Sequence, residues 1–206
     1  MSHHVRIKIC GVTEEIALRA AVRSGADFVG IVRWPGSPRY VDQEKAEDLA
    51  SMLPEGVEPV GLFVDAELDE MLEWPHEWIQ LHGGEDETVA ERLRSEGYQL
   101  IRGFKFDPEA LRRWDGCPAI DRLVIDGSSV GGTGESFDHE ALRAMSSSLD
   151  TPLLIAGGLT PKNVGELVGR LTPWGVDVSS GVESTRGHKC PDLIEAFCTA
   201  VRTGSS

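Results

Sequence analysis

Three glycine-rich turns, GGTG at Gly131 to Gly134, AGGL at Ala156 to Leu159 and SSGVE at Ser179 to Glu183, stand in the last part of the chain. Each follows a short apolar β-type run, and two lead into helix-like sequence. Bare backbone N–H groups in such turns approach an oxyanion closely, which is how α/β proteins hold phosphate. Taken singly, each turn also reads as a tight turn or helix stop, and none matches the phosphate-loop or dinucleotide fingerprint. Four side chains able to do chemistry sit at or after the ends of other apolar runs: Cys10, Arg39 in SPRY, His82 in QLHG, and Asp126 after LVI. Cys10 reads either as a buried inert hydrophobe or as a thiolate stabilised before a helix start near Thr13. Asp126 is a carboxylate at the end of a hydrophobic run, where it either carries chemistry or caps the next turn. Arg39 is a surface residue or a planar fork for a substrate carboxylate. His82 stays ambiguous. Asp177, inside GVDVSS, either anchors a neighbouring loop or touches a ligand.

The elements that would position these residues alternate. Short β-branched or apolar runs occur at Val5 to Ile9, Phe28 to Val32, Pro59 to Val64, Trp78 to Leu81, Gln99 to Gly103, Leu123 to Ile125, Leu153 to Ala156 and Val176 to Val178. Between them lie amphipathic stretches at Glu14 to Ser24, Gln43 to Leu53, Thr88 to Ser95, His139 to Ser147 and Lys162 to Arg170, with Pro191 to Val201 after the last run. The segments after the third and fifth runs are weaker helix signals. Strand–helix alternation implies parallel pairing with right-handed crossovers, and eight such units predict a (β/α)₈ TIM barrel of the phosphate-binding type. An open doubly wound sheet is the structural alternative. Residues 1–206 are expected to form a single barrel domain. In a barrel, chemistry lies on the loops at the C-terminal ends of the strands, where Cys10, Arg39, His82, Asp126 and the glycine turns fall, while Asp177 lies inside the eighth run.

As a set, KICG at Lys8 to Gly11, SPRYV at Ser37 to Val41, LHG at Leu81 to Gly83, GGTG, AGGLTPKNV at Ala156 to Val164 and VDVSSGVE at Val176 to Glu183 resemble the phosphoribosylanthranilate isomerases, barrel enzymes of tryptophan biosynthesis. The resemblance runs nearly end to end. It implies an Amadori rearrangement of N-(5-phosphoribosyl)anthranilate to 1-(2-carboxyphenylamino)-1-deoxyribulose 5-phosphate, with no cofactor. By resemblance Cys10 is the general base, Asp126 the general acid and Arg39 the grip on the anthranilate carboxylate. Gly132, Gly134, Gly157, Gly158, Ser180 and Gly181 become the phosphate cradle, with His82 and Asp177 counted among the substrate-binding residues. The chain departs from the family pattern at His139, where an aromatic is usual, and at Trp34-Pro35-Gly36 before SPRY. The alternatives are another phosphosugar barrel, expected to show metal ligands or a lysine acid, and a non-catalytic phosphate-binding barrel.

Cys10, Cys117, Cys190 and Cys198 form no CxxC pair or zinc-like cluster, so free thiols are expected and no metal is proposed. No signal peptide or membrane span is legible, which predicts a cytoplasmic protein acting on a small molecule as monomer or homodimer. The formal charge is −14, from 34 acidic against 20 basic residues, and argues against nucleic acid or an anionic membrane as partner. Lysine is scarce: Lys8, Lys45, Lys105, Lys162 and Lys189 complete the set. This composition suits an ordinary acidic cytosolic protein or one adapted to high salt, where screening relieves self-repulsion. On the second reading the melting temperature rises between dilute buffer and molar KCl, beyond the range where surface pairs are screened. Thermal melts that stay flat or fall over that range rule it out.

Overall fold

The computed structural model describes residues 4–127 and 149–204. Eight strands close into a barrel in chain order: β1 (Arg6–Cys10), β2 (Phe28–Val32), β3 (Glu58–Phe63), β4 (Trp78–Leu81), β5 (Gln99–Lys105), β6 (Arg122–Asp126), β7 (Leu153–Ala156) and β8 (Gly175–Val178). Every neighbouring pair is parallel, and the seam closes with Lys8 opposite Asp177 and Ile9 opposite Val178. The closed barrel therefore holds and the open sheet falls. Outside the ring lie α1 (Glu15–Arg23), α2 (Gln43–Ser51), α3 (Leu68–Leu72), α4 (Glu87–Ser95), α5 (Pro108–Trp114), α6 (Val164–Leu171) and α7 (Pro191–Gly204). After β8 come a 3₁₀ turn at Ser180–Val182 and a small hairpin of β9 (Glu183–Thr185) and β10 (His188–Lys189). The GGTG turn, with Gly132 and Gly134, and the helix expected at His139 to Ser147 fall outside the described residues.

Strand ends differ from the sequence expectation by a residue or two, because apolar runs mark burial and the hydrogen-bond ladder runs past them. α3 and α5 are short, as their weak patterns implied. α5 forms because Asp107 accepts the N–H groups of Glu109 and Ala110 at 3.2 and 3.1 Å, and Pro108 suits the first turn. Asp42 and Asp86 cap α2 and α4 in the same way. Among the described residues no helix is long and apolar enough to cross a membrane.

The alternation of strand side chains sorts the barrel into two compartments. Outward residues such as Ile7, Ile9, Val29, Ile31, Ile79, Leu81, Val176 and Val178 pack under the helices. Inward residues nearer the strand starts, Phe28, Val60, Trp78, Ile101, Val124 and Leu154, make a separate apolar plug. Trp78 meets Phe28 edge-on at 5.5 Å, and the Arg122 guanidinium lies 4.5 Å from the Trp174 ring. Two residues further along the strands the interior turns polar: Trp78 gives way to Gln80 and His82, and Val124 to Asp126. Lys8, Gln80 and Asp177 are all buried there.

Side-chain-free positions make room for that polar layer. A methyl at Gly103 on β5 would overlap the His82 imidazole and stand 2.9 Å from Gln80 Nε2. Gly103→Ala is therefore an overpacking substitution and should lower the unfolding free energy by about 1–3 kcal/mol in urea titrations. Unchanged stability would show that the ring has somewhere else to go.

Candidate active site

At the C-terminal ends of the strands the barrel opens into a cavity of ≈ 480 Å³, within the usual size for a small-molecule site. Cys10, Arg39, His82, Asp126, Gly157, Gly158, Asp177, Ser180 and Gly181 all line it. The structure thus gathers every described residue singled out from sequence. Other residues of that face serve the loops instead. Arg33 is buried and donates to the Val41 carbonyl at 2.8 Å. Glu85 accepts the N–H groups of Asp65 and Gly83, both at 2.8 Å, and is paired with Arg102 at 2.9 Å.

Cys10 ends β1 with its side chain inward, and the environment differs from the expected one. α1 starts at Glu15 rather than near Thr13, so the groups beside the thiol are side-chain cations and not a helix N-terminus. Lys8, two residues earlier on the same face, is fully buried with Nζ 3.0 Å from Asp177 Oδ1. Burial dominates and leaves the Cys10 thiol above its ordinary value; Lys8 and Lys189 pull it down, and Asp177 adds to the rise. Burial also works to lower Lys8, but Asp177 and Cys10 outweigh it and the ammonium ends above its ordinary value.

Arg39 is held from two sides. Gly11 has φ +74°, a left-handed conformation natural to glycine, and a methyl there would run into the Arg39 side chain. Glu183 binds Nε at 2.6 Å and Nη2 at 2.9 Å. The fork expected to receive a substrate carboxylate thus gives its Nε–Nη2 edge to an internal carboxylate, and the Nη1 side is what remains. Glu183 also accepts from Lys189 Nζ at 2.6 Å, and Lys189 reaches Ser179 O and Oγ at 3.1 and 3.2 Å. One chain of contacts therefore ties the SPRY loop to the turn after β8.

The two described glycine turns touch. Gly157 and Gly158 carry φ of +91° and +64°, and a methyl at Gly181 would collide with the Leu159 carbonyl. Close backbone contact of the loops after strands seven and eight, with a short extra helical turn, is the arrangement TIM barrels use for phosphate. Asp177 both anchors and lines: it holds Lys8 and faces the cavity. His82 Nδ1 lies 3.1 Å from Gln80 Nε2, and burial lowers its pKa, which favours the neutral ring.

Lys8, Gln80, Glu183 and Lys189 were not picked out as site residues. Lys8 was within reach of sequence reasoning: in RIKIC it shares the face of Cys10 by strand alternation. Lys189 was not, because its place depends on how the hairpin folds back.

A family model described as N-(5'phosphoribosyl)anthranilate (PRA) isomerase matches residues 7–200. A Paracoccus denitrificans protein named N-(5'-phosphoribosyl)anthranilate isomerase is 44% identical over 206 residues, covering 94% of this chain and 95% of that protein. One of the same name from Chromohalobacter salexigens is 40% identical over 204 residues, covering 95% and 93%. A solved phosphoribosyl anthranilate isomerase in complex with reduced 1-(o-carboxyphenylamino)-1-deoxyribulose 5-phosphate superposes with a TM-score of 0.84 at 30% identity, covering 97% and 99%.

The Glu183 clamp carries its own pH signature. Burial alone would raise this carboxyl, but Arg39, Lys189 and the Gly187 N–H bring it down to about 2 from 4.5. A carboxylate depressed on folding stabilises above its unfolded value and loses that contribution as pH falls through its folded value. Glu183→Gln should therefore lose about 3 kcal/mol at neutral pH, because two cations lose their counter-charge. The gap from the parent should close as pH falls from 4.5 towards 2. Urea unfolding across that range checks it, and a gap independent of pH would show that the charge is not what matters.

Proposed function

The chain belongs to the N-(5'-phosphoribosyl)anthranilate isomerase family, and on that premise we propose how its cavity carries out the isomerisation that serves tryptophan biosynthesis. The observation that supports the reading most is the meeting of Cys10 and Asp126 at one cavity from the ends of β1 and β6, with β7 and β8 between them on the short way round. The sugar lies between the two groups. Asp126 delivers a proton to the ribose ring oxygen; the C1–O bond breaks, and the anilino nitrogen forms the C1=N iminium. That iminium acidifies C2–H. The Cys10 thiolate removes the C2 proton, the electron pair moves toward nitrogen, and the enaminol tautomerises to the aminoketone. Hydrogen moves within one molecule, so acid, base and imine suffice and no cofactor is invoked.

The remaining groups bind. The Nη1 side of Arg39 takes the anthranilate carboxylate in a guanidinium already oriented by Glu183. Gly157, Gly158, Ser180 and Gly181 present backbone to the phosphate. Gly132 and Gly134, outside the described residues, keep the phosphate role that the sequence resemblance gives them. His82 and Asp177 face the sugar, the imidazole as a neutral donor or acceptor. The partner is this small phosphosugar-anthranilate, with neither nucleic acid nor membrane involved. A cytoplasmic monomer or homodimer fits the composition.

Consumption of the fluorescent substrate by the purified protein tests the reaction. Cys10→Ser replaces the thiolate by a far weaker base of similar size, and Asp126→Asn removes the transferable proton while keeping the shape. Each should lower kcat by ~100-fold or more with little change in melting temperature. Near-parental turnover in either variant removes that residue from the mechanism.

A further inference from the structure

We propose that Lys8, clamped by Asp177, is a positioning residue whose ammonium holds Cys10 as the thiolate that takes the C2 proton. This deepens the reading of Cys10 as base and rests on it. Lys8 is fully buried in the middle of the barrel, where its methylenes gain little that a leucine or methionine would not supply more cheaply. A buried ion pair is often no more stabilising than well-packed hydrophobes of the same volume. A charge kept there at that cost points to use.

The geometry says what the use is. Lys8 and Cys10 project from the same face of β1, and both lean on Gly30 of β2. A methyl at Gly30 would stand 2.9 Å from Cys10 Sγ and 3.1 Å from Lys8 Nζ. Glycine at this position lets the sulfur and the ammonium share the space. On the other side Lys8 Nζ meets Asp177 Oδ1 at 3.0 Å, directly across the β1–β8 ladder.

The groups facing the thiol from the packed elements are Lys8 on β1, Asp177 on β8, Lys189 on β10 and Arg39 in the loop after β2. Arg39 and Lys189 share the one carboxylate of Glu183, and Lys8 has that of Asp177. Of the three cations, Lys8 acts on the sulfur most strongly. Asp177 repels a thiolate directly, yet it keeps Lys8 protonated both before and after sulfur gains the substrate proton. Burial favours the neutral thiol and prevails, and Lys8 is the strongest influence pulling the other way. Without the cation the thiol would rise further, and less of the protein would present sulfur able to accept the C2 proton.

The test reads the thiolate itself. Iodoacetamide alkylation of Cys10, followed at peptide level against pH, is compared in the parent, Lys8→Arg, and the double variant Lys8→Met/Asp177→Asn. The double variant removes both charges together, so no lone buried charge remains to unfold the barrel. We expect its alkylation profile to move to higher pH, with Cys10 reacting at least about fivefold more slowly at neutral pH. Lys8→Arg should stay near the parent. An unchanged profile in a folded double variant overturns the proposal.

A measurement on the parent stands independently of any variant's folding. The difference in thiolate absorbance between the parent and Cys10→Ser should reveal an ionised Cys10 at the pH of full activity, and its absence overturns the proposal as well. Failure of the base reading looks different: Cys10→Ser would turn over normally while the alkylation shift on losing Lys8 persisted.

Discussion

The barrel closes where Lys8 on β1 meets Asp177 on β8. At the exposed end of the β5–β6 ladder Lys105 stands opposite Asp126, whereas the seam brings a buried ammonium to a buried carboxylate. Neither ion tolerates the interior alone, because taking an ion out of water costs several kcal/mol and only its partner returns it. The pairing therefore specifies register: a slip of one residue would turn Lys8 outward beneath the helices and strand Asp177 inside. Setting this register also fixes the height of Cys10 relative to the turn after β8, and hence the distance over which a substrate must stretch from thiol to glycine turns.

Above the seam the mouth is rigid by interlocking rather than by regular structure. Gly11 admits the Arg39 side chain against its α-carbon, Glu183 holds two nitrogens of that guanidinium, and Lys189 joins Glu183 to Ser179. The hairpin formed by β9 and β10 is too short to be stable alone. Its purpose in the fold is to deliver Glu183 and Lys189 to this network. Groups that are oriented before the ligand arrives lose less freedom on binding, which is how fixed loops convert contacts into affinity.

Most of the architecture was legible in the sequence because parallel barrel strands are short apolar runs separated by turn residues, and eight of them leave few alternatives. Cys10, Asp126, Arg39 and the glycine turns were found because they end those runs. The network around them was hidden for two physical reasons. Lys8 shares the face of Cys10 by alternation, but that pattern does not tell a buried ammonium from one that reaches solvent. Glu183 and Lys189 meet only after the chain reverses, and nothing local marks a glutamate that will hold an arginine 144 positions away. Of the two readings of Cys10, burial holds, and the cations beside the thiol have no signature in local spacing.

The charge distribution settles how so acidic a protein manages an anionic ligand. A net charge of −14 repels a phosphorylated carboxylate at long range, but at physiological ionic strength that field decays over about 8 Å. At the mouth Arg39 and the backbone of the glycine turns line the cavity, while Lys8 and Lys189 lie behind it, paired with Asp177 and Glu183. Two of the chain's five lysines are committed to this one place, and both are buried. Attraction is thus confined to the distance at which it also selects, since an anion must already fit the mouth before it meets Arg39 and the glycine turns. An acidic exterior whose anion contacts are confined to the mouth trades encounter rate for discrimination, and the trade is smallest where salt is highest because screening removes the outer repulsion while leaving the inner contacts intact.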